Sequence, residues 1–212
     1  MSEDEIQVSK EHYFNSTYDS KRRFCSYWHQ IDEVRKLNPS SILEVGIGNG
    51  LVSDHLKKHG YSITTVDIDS DLNPDVVASI QDLPFKNGKF EVVMAYEVLE
   101  HLPFEEFSVA MQELKRVAQN YILISLPDRN RAYRFQIQLP KIGDIKFLIP
   151  IPTFIKSEHK FDGEHYWEIG KKNYSLNKII SNIENINGLK LIKTYRVFEI
   201  RSHRFFIIKI VD

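Results

Sequence analysis

Three glycines at alternate positions, Gly46, Gly48 and Gly50, follow directly on the apolar run "SILEV", and a carboxylate, Glu44, stands two residues ahead of the first. Glycine loses more backbone entropy on folding than any other residue, so such a cluster needs a reason, and a ligand lying against bare backbone is one. The spacing fits neither common phosphate loop. In a dinucleotide fingerprint the third glycine would fall where Leu51 stands, and no Lys-Ser/Thr pair follows to make a P-loop. A carboxylate beside the loop would repel a pyrophosphate and attract a cation. Asp67, at the end of the next apolar run "YSITTVDID", is placed to accept hydrogen bonds from two ribose hydroxyls. The pair therefore suits a nucleoside with a positive tail.

Such a loop works only where a strand hands over to a helix, and the surrounding pattern supplies both. Apolar runs at "SILEV", "YSITTVDID", residues 76–80, "FEVVMAYE" and "NYILISLP" read as strands. Between them "GLVSDHLKKHG" reads as a helix ending at Gly60, and "PFEEFSVAMQELKRVA" as a helix with Pro103 near its first turn. Helical spacing also runs toward Leu37 and is stopped by Asn38-Pro39. Residues 128–174 read as irregular; "SLNKIISNIENI" then reads as a helix, and "LKLIKTYRVFEI" and "HRFFIIKIV", joined by the short link "RS", as an antiparallel hairpin. Near-continuous apolar strands alternating with helices predict an α/β fold, a doubly wound Rossmann-like seven-stranded sheet, mostly parallel with one antiparallel strand in the C-terminal hairpin.

The motifs together resemble those of class I S-adenosylmethionine (SAM)-dependent methyltransferases of the UbiE/UbiG-like, small-molecule type. "LEVGIGNG", "TTVDID" and "QDLPFKNGKFEVVMAYEVLEHL" match that family's motifs in order, from about Ser40 to Pro127. SAM carries adenine, ribose, a sulfonium and an ammonium, the nucleoside with a positive tail that Glu44 and Asp67 suit. The resemblance implies that Gly46 and Gly48 line its methionine part, that Glu44 orients the loop, that Asp67 takes the ribose and that Ile68 packs on the adenine. It places Ser79 and Ile80 at the adenine, and Tyr96 and Glu97 at the sulfonium end. Ser79 departs from the family's usual Asp, so Gln81 or Asp82 could take its contact. The implied organisation is a single domain over 1–212, with a helical cap (1–38), a SAM-binding core (39–127), an insertion or lid (128–174) and a C-terminal helix and hairpin (175–212).

The remaining candidates concern the acceptor. "RNRAYRF" sets Arg129, Arg131 and Arg134 together, suited to a phosphate or carboxylate, or simply a solvated surface. "SEHKFDGEHYWEIG" offers His165 as a base in a lid, with Tyr166 and Trp167 as substrate contacts, or else an ordered loop with Trp167 in a side core. His101, in "EVLEHL", is a second candidate base or a local packing residue, and His203 reads as structural. No helical H-E-x-x-H spacing links His159, Glu164 and His165, so no metal is expected. The apolar "FLIPIPTFI" reads as a cover for a greasy substrate or a dimer contact.

Bulk properties narrow the partners. A net charge of −1 gives no general attraction to nucleic acid or anionic membrane, one cysteine, Cys25, forbids an internal disulfide, and no apolar run reaches the length of a bilayer span. The acidic start "MSEDEIQVSK" does not read as a signal peptide. The expectation is a cytoplasmic enzyme, monomer or homodimer, methylating an oxygen or nitrogen of a small-molecule, glycan or lipid-type acceptor. A catalytically degenerate SAM-binding partner subunit and an RNA or protein methyltransferase stand as alternatives.

Overall fold

The computed structural model describes residues 7–153 and 155–211. From sequence, residues 1–9 read as frayed; that reading falls largely outside the described residues, as does Phe154 of the apolar stretch. Helices α1 (Lys10–Tyr13) and α2 (Lys21–Leu37) come first. The Ser20 hydroxyl accepts from the Arg23 amide at the start of α2, and Asn38 ends it in the left-handed conformation, as the residue before Pro39 must leave the helix. Then follow β1 (Ile42–Val45), α3 (Leu51–Lys58), β2 (Ile63–Asp67), β3 (Val76–Val77), β4 (Phe90–Tyr96), α4 (Phe107–Val117) and β5 (Ala118–Pro127). After β6 (Ala132–Leu139) and β7 (Gly143–Pro150), the chain forms α5 (Leu176–Glu184), β8 (Leu189–Arg196) and β9 (His203–Ile210).

Seven strands make one sheet in the order β3-β2-β1-β4-β5-β9-β8, all parallel except β9, which pairs antiparallel with both β5 and β8. This is the expected doubly wound sheet with one reversed strand. The core lies on both faces because alternate strand residues point opposite ways. Leu43, Val45, Val93, Ile122 and Ile124 pack on the α4 and α5 side, while Ile42, Val92, Met94 and Leu123 pack on the α2 and α3 side. Every residue of β1 is buried, which explains its uninterrupted apolar run and makes Glu44 an exception that needs an account.

Two expectations are corrected. The stretch 128–174 is not irregular throughout, since β6 and β7 form a separate two-stranded antiparallel sheet. Tyr133, Phe135 and Ile137 face Ile149, Phe147 and Ile145 across it, and all six stay partly exposed. The link between the last two strands is longer than "RS": it runs from Val197 to Ser202, because Val197 turns into the core and its amide closes the turn on the His203 carbonyl at 3.0 Å.

Candidate active site

The winding of the sheet reverses between β1 and β4, and a crevice opens beyond their carboxyl ends. The glycine loop leaves β1 at that point. Gly46 has φ +83°, and a Cβ there would run into Val98 Cγ2; Gly48, at φ +55°, lies against the Tyr13 ring. Bare backbone is thus favoured by conformation at both positions and required by contact at Gly46. Asp67 anchors the loop, for the Ile47 amide donates to its Oδ2 at 2.9 Å and the Asp69 amide to its Oδ1 at 3.0 Å. Each oxygen keeps acceptor capacity for a ligand, and burial raises the carboxyl above its ordinary range. On the other side, the Asn49 side-chain amide donates to Asp19 and to the Tyr27 hydroxyl, fastening the N-terminal segment over the loop.

The expected cofactor residues all meet in one pocket. Glu44, Gly46 and Gly48 form one wall, Asp67 and Ile68 a second, Ser79 and Ile80 a third, and Tyr96 and Glu97 the end. The pocket is partly open to solvent. Tyr13, Tyr18, Arg23 and Tyr27 complete it from the N-terminal segment. Sequence reading gave this segment only as a helical cap, since nothing local says that the cap folds onto the glycine loop.

Several buried oxygens of this pocket have no hydrogen-bond partner among the described residues: Glu44 Oε2, Tyr96 Oη and Glu97 Oε1. Burial pushes the Glu44 carboxyl up to about 8, so the site holds a carboxyl that an incoming cation would ionise. Glu97 sits at φ +55°, a conformation costly for a residue with a side chain, and such strain concentrates at working sites. Its Oε2 lies 3.7 Å from His203 Nε2, and His203 Nδ1 lies 3.0 Å from the Ser26 hydroxyl. His203, read as structural, therefore stands behind Glu97, with burial lowering its pKa. These unpartnered acceptors and the glycine cradle fit the sulfonium, ammonium and ribose of SAM.

The acceptor candidates divide. His101 lines the pocket, and its Nδ1 lies 2.9 Å from the Glu164 carbonyl oxygen. The His165 ring centre is 5.1 Å from that of His101, while its Nδ1 is 3.1 Å from Glu168 Oε1. Tyr166 borders the adjoining cleft with His101 and Ser79. Trp167, in contrast, is fully buried against Phe104 and Phe107 and its indole N–H donates to the Leu102 carbonyl, so it is core and not a substrate contact. The arginine group is also dispersed. Arg129 is bound to Glu168 at 2.7 Å, Arg131 is exposed outside the pocket, and Arg134 lies in β6 opposite Leu148. The Arg129 and His165 bonds hold the Glu168 carboxyl down at about 2.

Comparison with known proteins agrees with this geometry. Residues 43–121 match the methyltransferase domain family. No curated protein matches the sequence. Among solved structures, 1,6-didemethyltoxoflavin-N1-methyltransferase of Burkholderia thailandensis, with its bound substrate and S-adenosylhomocysteine, superposes with TM-score 0.65 at 10% identity, covering 95% of this chain and 85% of that one. Magnesium protoporphyrin IX methyltransferase of Synechocystis, with bound SAM, gives 0.63 at 14% identity over 97% and 93%. A SAM-dependent methyltransferase of Clostridium acetobutylicum gives 0.62 at 8% identity over 95% and 97%. The likeness at such identities is one of fold. The match at residues 43–121 is a likeness to the methyltransferase domain family, and the chain has the fold that SAM-dependent methyltransferases use.

Proposed function

We propose that this chain is an active SAM-dependent methyltransferase of a small-molecule acceptor, methylating oxygen or nitrogen, with glycan and lipid-type molecules within that class. One observation carries the reading: Glu44, buried in β1 with an unpartnered oxygen, lines the same pocket as Asp67. A polar pair of that kind, beside a glycine cradle, is costly unless a cationic nucleoside meets it. SAM supplies an electrophilic methyl group on its sulfonium. The chain's own residues bind and align: Asp67 accepts from the ribose, Glu44 and Glu97 meet positive charge, Ile68 and Ile80 flank the adenine, and the tyrosines of the N-terminal segment exclude water. His165, whose ring lies beside that of His101, and Tyr166, in the adjoining cleft, serve as acceptor contacts. No helix among the described residues is long and apolar enough to cross a membrane.

Calorimetric titration with SAM and with S-adenosylhomocysteine tests this. Micromolar binding is expected, weakened at least tenfold (about 1.4 kcal/mol) in Asp67→Ala, since charge-assisted hydrogen bonds are lost. No binding by the folded wild-type chain would instead favour a degenerate partner subunit.

A further inference from the structure

Glu100 is fully buried, and neither of its carboxylate oxygens has a hydrogen-bond partner among the described residues. The same buried corner holds two imidazoles. One donor atom from each of Glu100, His101 and His165 lies within 4.8 Å of the others. The tautomers of both rings follow from their neighbours. A carbonyl oxygen can only accept, so His101 Nδ1 carries the proton it gives to Glu164, and its Nε2 keeps a free lone pair. Likewise His165 Nδ1–H faces Glu168, whose carboxylate is itself gripped by Arg129. A histidine that is held by a carboxylate or carbonyl on one nitrogen and bare on the other is how proteins orient metal ligands.

We propose that Glu100, His101 and His165 bind a divalent cation of the zinc or manganese type, which holds and acidifies an acceptor hydroxyl. Two nitrogens and one carboxylate suit such an ion and leave coordination positions open. His101 also lines the glycine-loop pocket, so the cluster adjoins the cavity assigned to SAM. The use of the ion rests on the methyltransferase reading above and narrows it to oxygen acceptors. The hydroxyl proton leaves to solvent, the oxygen bonds to the methyl carbon, the carbon–sulfur bond breaks, and the sulfonium becomes a neutral thioether. The sequence reading missed this group because its ligands come from two distant segments, Glu100-His101 after β4 and His165 in the insertion.

The test uses the untagged full chain, stripped with a chelator and titrated calorimetrically with zinc chloride and with manganese chloride. One equivalent per chain is expected, weakened at least tenfold in His165→Ala and in Glu100→Gln. Circular dichroism checks that each variant folds; His165 lies at the rim, so its variant remains informative should Glu100→Gln fail to fold. With cobalt bound, acetohydroxamate, a small oxygen-donor probe, is expected to change the visible spectrum, and an unchanged spectrum would overturn the acceptor role. No saturable binding, or equal binding by wild type and His165→Ala, would overturn the cation site. A parallel SAM titration keeps the two readings apart: SAM bound without metal sinks the cation site alone, and metal bound without SAM sinks the transfer.

Discussion

Replacing Glu44 by Gln should make the protein more stable and its pocket worse. The carboxyl sits in β1 at 4% exposure, with one oxygen unpartnered, and burial lifts its pKa from 4.5 to about 8. The folded chain therefore binds this proton more tightly than the unfolded chain does. The resulting stability is fully present below about pH 4.5 and is lost as pH rises toward about 8. At about 1.4 kcal/mol for each tenfold in proton affinity, the loss is on the order of 5 kcal/mol, an upper limit because structure relaxes and water enters around a buried charge. Gln mimics the protonated acid and has no such loss. Urea denaturation at pH 5 and pH 8.5 without nucleoside should show the variant gaining about 2–4 kcal/mol over wild type between the two conditions. All other titrating groups are common to both proteins and cancel in the difference. SAM should narrow the gap, because its ammonium restores the carboxylate, and the variant should bind SAM about tenfold more weakly. A constant difference at both pH values, with SAM affinity unchanged, would refute the assignment of Glu44 as a buried acid awaiting a cation.

Gly46→Ala should leave a folded protein whose SAM affinity falls at least tenfold, since φ +83° strains a side chain by about 1–2 kcal/mol and the new methyl must displace Val98. Thermal melting and calorimetry read both effects, and unaltered binding would mean the loop does not touch the nucleoside. Trp167→Ala should cost about 3–5 kcal/mol in chemical denaturation, as a large aromatic taken from a closed core does, with SAM affinity of the folded protein kept. A variant of near-normal stability would return Trp167 to the substrate contacts.

What could be read in advance was what depends on local pattern. The glycine loop, Asp67 and the reversed last strand follow from spacing, apolar runs and the short distance between β8 and β9. The β6–β7 sheet was visible in principle, for Tyr133, Phe135 and Ile137 alternate strictly with polar residues. Reading the arginines by their nearness along the chain obscured that period, which sends Arg134 and Tyr133 to opposite faces. Trp167 and Glu100 were not legible. Whether an indole joins the core depends on Phe104 and Phe107 about sixty residues earlier, and whether a carboxylate is stranded depends on which distant segment covers it. The tyrosines over the glycine loop fall in the same class, since their spacing speaks only for a helix.

The reversed β9 also sets an order of events in synthesis. It follows β8 along the chain but lies between β5 and β8 in space. Until residues 203–210 clear the ribosome, β5 and β8 each present an open edge, the situation in which strands pair with the wrong neighbour. The same insertion delivers His203 to Glu97 and Ser26. Closing the sheet and setting His203 behind Glu97 are then a single late step, and a nascent chain stalled before it is exposed to misassembly.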